Sequence, residues 1–205
     1  MGGRAVRLAL AFCVIVVACG SLVLAAVGAS PLQVVLGEGF ERVAIGTHME
    51  LAYDEGGEAS IDDVLAGKLQ FTPSTKEVPN FGYRTGAEWL HLRAKDERAR
   101  TGELVLEHGY GLTDRIELFE VAGGTVVRRA LGGDHVAPRD WDVLARLPAF
   151  ELKPRGEHEV YVRVTSGESH MLLFSLFSAH AYQEHRRFDH AAQCVYFGAL
   201  AAMLI

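Results

Sequence analysis

Aromatic and arginine side chains occupy alternate positions along three segments of this 205-residue chain. In an extended strand this spacing turns the intervening aliphatic side chains to one face and the aromatic and arginine side chains to the other. An aromatic plane beside a guanidinium suits a sugar, because ring CH groups stack on the aromatic face and hydroxyls accept charged hydrogen bonds. The first predicted ligand-binding residues, for a carbohydrate or another small molecule, are Trp89, Arg93, Arg115, Phe119, Tyr161 and Arg163.

A second candidate group lies in the long loop 138–148, where Trp141 is flanked by Arg139 and Arg146. Both groups have a structural alternative. Trp89 could be a core tryptophan, and Arg163 could pair with a carboxylate on a neighbouring strand.

Other chemistry finds little support in the sequence. His180, His185 and His190 recur every five residues, which on a helix is about 500° per step, so they cannot converge on one metal ion. His135 stands beside Asp134, but two ligands do not make a site. The chain has no Gly-x-Ser-x-Gly nucleophile elbow. We therefore expect no enzyme activity, no metal and no cofactor.

The same alternation sets the predicted fold. Period-two patterns at 89–94, 102–107, 114–119 and 160–165 indicate half-buried strands, and 171–177 is apolar on both faces, as expected of an interior strand. Glycine-rich turns separate these segments, without long amphipathic helices between them. The sequence predicts an all-β domain over residues 48–179, an antiparallel jelly-roll-like β-sandwich. One short helix is expected to start at Ser60 and to end before Gly67.

Apolar segments flank this domain. Residues 1–29 resemble a secretory signal peptide, with an uncleaved membrane anchor and a lipoprotein signal around Cys19 as alternatives. Residues 30–47 are predicted to be a linker. Residues 180–205 are predicted to form a juxtamembrane helix that continues into the first part of a transmembrane helix. The uncharged run 191–205 reaches about 22 Å, short of the ~30 Å hydrocarbon core, so we expect a truncated span.

The charge and the cysteine content argue against two classes of protein, those that bind nucleic acid and those that disulfides hold together. The net charge is −6, and the 20 basic residues are scattered, so a nucleic-acid surface is not expected. All three cysteines lie in the apolar end segments, which excludes a disulfide scaffold for the middle domain.

Residues 49–205 resemble the second type of extracellular domain of the 7TMR-DISM family, the bacterial seven-transmembrane receptors with diverse intracellular signalling modules. The similarity rests on the order of short landmarks, including Asn-Phe-Gly-Tyr at 80–83 and Asp-Arg-Ile-Glu-Leu-Phe at 114–119. The others are at 53–55, 61–64, 88–90, 133–134, 139–152, 161–164 and 196–203. His91 departs from the family, which usually has arginine there.

The resemblance implies a sandwich similar to carbohydrate-binding modules, held on the periplasmic side of the bacterial inner membrane. It also implies a sensory role, in which an unknown small-molecule or carbohydrate ligand changes an intracellular output. The expected partners are this ligand, the membrane and a second receptor copy. The remaining spans and the output module would lie beyond Ile205, so we expect a truncated receptor. The alternative function is a membrane-tethered glycan or small-molecule binding module without signalling of its own.

Overall fold

The structure is a computed structural model that describes residues 32–99, 102–153 and 157–203. The predicted signal or anchor segment 1–29 lies outside the described residues. The elements are β1 (Val34–Leu36), β2 (Arg42–Ala44), β3 (Met49–Asp54), α1 (Ile61–Leu65), β4 (Thr72–Pro73), β5 (Asn80–Tyr83), β6 (Ala87–Asp96), β7 (Leu104–His108), β8 (Arg115–Ala122), β9 (Thr125–Gly132), a 3-10 helix (Pro138–Asp140), β10 (Ala149–Leu152), β11 (Glu157–Thr165), β12 (Ser169–Met171), β13 (Phe174–Ser178) and α2 (Ala179–Met203).

Two large sheets form an antiparallel sandwich, as predicted. The first sheet has the order β4-β3-β6-β11-β8-β9, with β1 added in parallel beside the end of β6. The second sheet has the order β10-β7-β13-β2, and its pairs are all antiparallel. Strands β5 and β12 form a separate two-stranded sheet. Non-sequential neighbours such as β6, β11 and β8 mark a jelly-roll-like topology.

The main core fills the space between the two large sheets. In this core the aliphatic side chains that alternate along β6, β8 and β11 pack against the apolar side chains of β7, β10 and β13. Full burial of one such side chain contributes roughly 1.5–3 kcal/mol, so the alternation itself drives sheet stacking. The chief contributors are Leu90, Leu92, Ile116, Leu118, Val160, Val162, Leu104, Leu106, Phe150, Phe174 and Leu176.

Each sheet also carries a covering layer on its other face. Helix α1 packs Ile61 and Val64 against Trp89 and Phe119 on the first sheet. Helix α2 packs Tyr182 against Val105 and Phe177 on the second sheet. The described domain is therefore layered as α1, first sheet, second sheet and α2.

Two predictions about segments were wrong. The expected linker 30–47 instead contributes β1 and β2, and it buries Val34 and Leu36 in the main core. The single strand expected at 171–177 is divided between β12 and β13. The break occurs because the Leu172 N–H donates to the carbonyl of Pro79 and the Gly109 N–H donates to that of Leu173, so the chain changes partner there.

The start of α1 follows the sequence prediction. Ser60 is the N-cap residue, its hydroxyl accepts from the Asp63 N–H at 3.2 Å, and the Asp63 carboxylate accepts from the Ser60 N–H at 3.0 Å. The hydrogen bond from the Lys68 ammonium, together with those from Ser60, lowers the pKa of Asp63 well below its usual range. Gly67 follows the helix with φ +75°, a conformation that glycine adopts without strain.

We expect Ser60→Ala to lower the free energy of unfolding by about 1 kcal/mol, because it leaves a helix N–H without its capping acceptor. Chemical denaturation monitored by tryptophan fluorescence would measure the change. Ser60→Asp should retain most of the stability, since aspartate also caps. Equal losses for both variants would contradict a capping role.

Helix α2 confirms that the chain continues as a helix from the end of the sandwich toward the C-terminus. It runs without interruption over Ala179–Met203. Its first turn is capped by the Ser178 hydroxyl, which accepts from the Ala181 N–H at 3.2 Å. Among the described residues, no helix has the combination of length and apolarity that crossing a membrane requires.

Candidate functional site

The three adjacent strands β6, β11 and β8 place all six strand residues of the first prediction on one face of the first sheet. Arg163 lies opposite Trp89 on one side and opposite Glu117 on the other. Tyr161 lies opposite His91 and Phe119 in the same way. Residues directly opposite each other share a face, so the sheet register brings the aromatic and arginine side chains together.

This face is not an open platform. Trp89 is 0% exposed and stacks on Phe119 with ring centroids 5.8 Å apart. Helix α1 covers both rings with Ile61 and Val64. The indole therefore belongs to a second hydrophobic cluster, as the structural alternative for Trp89 proposed, and its ring face is not available to a stacked sugar in this conformation.

A cavity of about 300 Å³ opens beside this aromatic pair. The strands form one wall and the segment that enters α1 forms the other. The lining residues are Glu58, Ala59, Ser60, Ile61, Asp62, Trp89, Glu117, Phe119, Arg129 and Arg163. Three of the predicted residues, Trp89, Phe119 and Arg163, thus share one concave site with several polar groups.

Arg163 is held firmly at this site. Its Nη1 donates to Glu117 Oε2 at 2.6 Å, and its Nη2 donates to the carbonyl of Gly57 at 2.5 Å. Arg115, another predicted residue, donates to Glu117 Oε1 at 3.2 Å from outside the cavity lining. The structure confirms the alternative prediction for Arg163, which pairs with a carboxylate of a neighbouring strand.

Two residues that line the cavity each have a buried nitrogen atom without an acceptor. The buried Nε1 of Trp89 and the buried Nε of Arg163 have no hydrogen-bond partner among the described residues. Buried donors are normally paired. Arg129, from β9, adds a third group, with its guanidinium carbon 5.4 Å from the centre of the Phe119 ring.

Tyr161 and Arg93 lie on the same face but belong to a neighbouring group outside the cavity lining. Tyr161 stacks on His91 at 4.1 Å, and burial raises the pKa of the Tyr161 hydroxyl. Arg93 donates to Glu50 at 2.9 Å and lies 3.5 Å from Glu159. Burial, followed by the charge of Arg93, lowers the pKa of His91 to about 4, so this ring is neutral at pH 7.

The second predicted group, Trp141 and Arg139 in the loop 138–148, lies away from the cavity at Trp89. The Trp141 indole N–H is shared between the carbonyls of Gly133 and Val136, at 3.1 and 2.9 Å, and so it fixes the loop. Arg139 is well exposed beside Asp140. Neither residue lines the cavity at Trp89. Their assignment to ligand binding stays a prediction.

One group of side chains has the composition of a cation site. Ligand atoms of Asp114, Asp134 and His135 lie within 4.8 Å of one another at the protein surface. One Asp114 oxygen already accepts from the Gly167 N–H at 2.8 Å. From the sequence, Asp134 and His135 alone were too few ligands for a metal site. The fold brings Asp114 next to them as a third.

The second sheet has a contact of its own, with helix α2. His185 stacks on Phe177 at 5.2 Å, and its Nε2 lies 3.5 Å from Glu107. Burial raises the pKa of Glu107, and burial together with the Glu107 charge raises the pKa of Tyr182 to about 12. An ion pair between Arg146 and Asp189, at 3.2 Å, closes the far end of this contact. The helix is thereby fixed to the sandwich by both packing and charge.

Sequence analysis missed several of the lining residues. Arg129 was one of an adjacent arginine pair that is usually solvated, and nothing local distinguishes it. Glu58 and Asp62 resemble ordinary surface acids. Only the β8–β9 register, which sets Arg129 opposite Phe119, brings it to the cavity. On the cavity wall formed by the start of α1, the N-cap at Ser60 was the one feature that the sequence predicted.

The chain is similar to one protein family and to a solved structure. The model of the family described as 7TMR-DISM extracellular 2 matches residues 46–178. No curated protein is detectably similar in sequence. A crystal structure of FMN-binding β-glucuronidase from Facaelibacterium prausnitzii L2-6 matches with 14% identity and a TM-score of 0.37, over 67% of this chain and 22% of that enzyme. The chain thus spans about a fifth of that enzyme's length.

The family match covers the second sheet except β2, the first sheet from β3 onward and both walls of the cavity. The chain belongs to the 7TMR-DISM extracellular 2 family, and its sandwich is an extracellular sensor domain of a membrane receptor.

Proposed function

We propose that the cavity at Trp89 and Arg163 is the ligand-binding site of this sensor domain, and that its occupancy is passed on through helix α2. The observation that supports it most is a concave site that combines an aromatic wall with charged side chains of both signs. Small-molecule sites combine apolar walls with a few such polar groups. The domain binds without catalysis, and it faces the periplasm from the bacterial inner membrane.

The transmission step follows from the layering. The cavity lies on the outer face of the first sheet, and α2 packs on the outer face of the second sheet. The core between the sheets is closely packed, so the sandwich would move as one body with the attached helix. A ligand that favours one pose of this body shifts the population of receptor states. The functional receptor would be a homodimer in the membrane, with no nucleic-acid partner.

A direct test is to fill the cavity. The full chain, purified in detergent, is screened by thermal shift against sugars, cell-wall fragments, amino acids and small carboxylates. A ligand that binds only the folded state raises the midpoint. We expect Ala59→Trp, at the cavity wall, to abolish the shift, and Ala66→Trp, an exposed site at the end of α1, to leave it intact. No shift across the panel, or shifts equal in both variants, would contradict the proposal.

Transmission is tested in a full-length receptor of the family that carries this domain. Inserting a flexible glycine run after Gln193, beyond the ion pair at Asp189, should uncouple output from ligand. An alanine run of about two helical turns is the control, since it preserves helix continuity and phase. Ligand-dependent output that is unchanged by the glycine insertion would contradict transmission through α2.

A further inference from the structure

The charges around the cavity divide into two sides. The sheet side carries the unpartnered Nε1 of Trp89 and Nε of Arg163. Trp89 is completely buried, and an orphaned donor in that setting is costly unless a ligand or water accepts from it. Both nitrogens lie beneath the cavity surface, so the charged groups that a ligand meets on the sheet side are the guanidinium groups of Arg129 and Arg163.

The net charge of the sheet side favours an anionic acceptor. The Arg163 charge is already balanced by Glu117 at 2.6 Å. Arg129 stacks on Phe119 and has no carboxylate partner among the described residues. One positive charge is left over on the sheet side. A carboxylate gains most from these two guanidinium groups, because charge-assisted hydrogen bonds are about twice as strong as neutral ones.

The wall opposite the sheet is negatively charged. Glu58 precedes α1 and Asp62 is in its first turn; both are exposed, and within the described parts of the chain neither forms an ion pair. A simple anion in the cavity would be repelled by these two carboxylates. A ligand whose other end is an ammonium group would be attracted to them instead.

We propose that the cavity binds a small zwitterion, an amino-acid-like molecule with its carboxylate toward Trp89, Arg163 and Arg129 and its ammonium group toward Glu58 and Asp62. This inference rests on the proposed ligand-sensing function and names its ligand class. The cavity volume of about 300 Å³ is at the lower end for small-molecule sites, which suits one such molecule better than an oligosaccharide.

The test is calorimetric titration of the full chain with the common L-amino acids. Each amino acid that binds is compared with the amine that lacks its carboxylate and with the acid that lacks its amino group. We expect both truncated compounds to bind at least tenfold more weakly than the amino acid. Neutral monosaccharides such as glucose and N-acetylglucosamine are titrated in parallel.

Variants locate the two ends of the ligand. Arg129→Gln should weaken amino-acid binding by about tenfold or more, the equivalent of one charge-assisted contact, and Arg129→Lys should weaken it less. The pair Glu58→Gln and Asp62→Asn should weaken the amino acid but not the acid that lacks the amino group. Arg187→Gln is the matched control, since this exposed arginine of α2 does not line the cavity.

The outcomes separate this inference from the proposed function. If a neutral sugar binds and Ala59→Trp abolishes it while amino acids do not bind, the cavity is a ligand site but the zwitterion assignment is wrong. If amino acids bind equally well with Arg129→Gln and with Arg187→Gln, the assignment is also wrong. If nothing in either panel binds, both the assignment and the proposed function are contradicted.

Discussion

Glu88→Ala is expected to lower the free energy of unfolding by about 2–3 kcal/mol, the usual consequence of leaving a partly buried charged group without its partner. Glu88 is 1% exposed in the middle of the first sheet. Its carboxylate directly contacts the Arg84 guanidinium and lies 3.5 Å from Nδ1 of the fully buried His170. Truncation would leave that guanidinium without its carboxylate, in surroundings that already hold it between aromatic rings.

The surroundings of Arg84 raise the expected effect. Its guanidinium carbon lies 4.0 Å from the Tyr53 ring centre and 4.1 Å from that of Phe81, and burial lowers the Arg84 pKa. Arg84 follows β5, and His170 is in β12, so Glu88 ties the two-stranded sheet to the first large sheet. Loss of the pair should loosen both.

Chemical denaturation of the full chain would measure the effect, with thermal unfolding as a second readout. For a domain of this size the midpoint should fall by roughly 2–4 °C per kcal/mol. Glu184→Ala is the matched control, because its partner Arg187 is on the helix surface and such pairs contribute about 0.3–0.5 kcal/mol. A loss with Glu88→Ala as small as the control's would contradict the assignment of Glu88 as a structural ion pair.

Lowering the pH from 7 to 5 should destabilise the domain by roughly 2 kcal/mol through one histidine, His108. His108 is 0% exposed at the end of β7, 2.7 Å from the hydroxyl of Thr113 and packed on Phe174 at 4.4 Å. Burial lowers the pKa of His108 from 6.5 to about 3. The folded state therefore resists protonation over a range in which the unfolded chain accepts it.

The sign follows from proton uptake. Above pH 6.5 the ring is neutral in both states, and the stability is fully present. Between pH 6.5 and about 3 the unfolded chain binds a proton that the folded chain does not, so stability falls as the pH falls. His91, with a pKa of about 4, adds a contribution of the same sign.

Unfolding in denaturant at several pH values between 7 and 5 would test this. His108→Gln should be less stable at pH 7 but should lose less stability on acidification, since glutamine can contact Thr113 and does not titrate. The slope that remains would come mainly from His91. His180→Gln, an exposed position at the start of α2, should leave the pH dependence unchanged. An unaltered slope in His108→Gln would contradict the assignment.

Trp89 and Arg163 show best how much of the site can be predicted from the sequence. Alternation correctly placed both on the face opposite the aliphatic core, and the sheet register brought them together with Phe119. The same pattern left open whether that face was exposed. Helix α1 covers Trp89 and Phe119, which converts an expected stacking platform into the wall of a cavity.

By itself, the sequence determined the antiparallel sandwich, the face on which each strand residue lies, and the helix capped by Ser60. These are local properties, because period-two alternation and capping depend on neighbours a few residues away. Only the tertiary structure decided that the segment before Met49 adds β1 and β2 to the sheets, that Arg163 pairs with Glu117 across 46 positions, and that Arg129 reaches the cavity. Those results depend on which strands become neighbours and on what packs over them, and no local pattern encodes contacts between segments so distant in the chain.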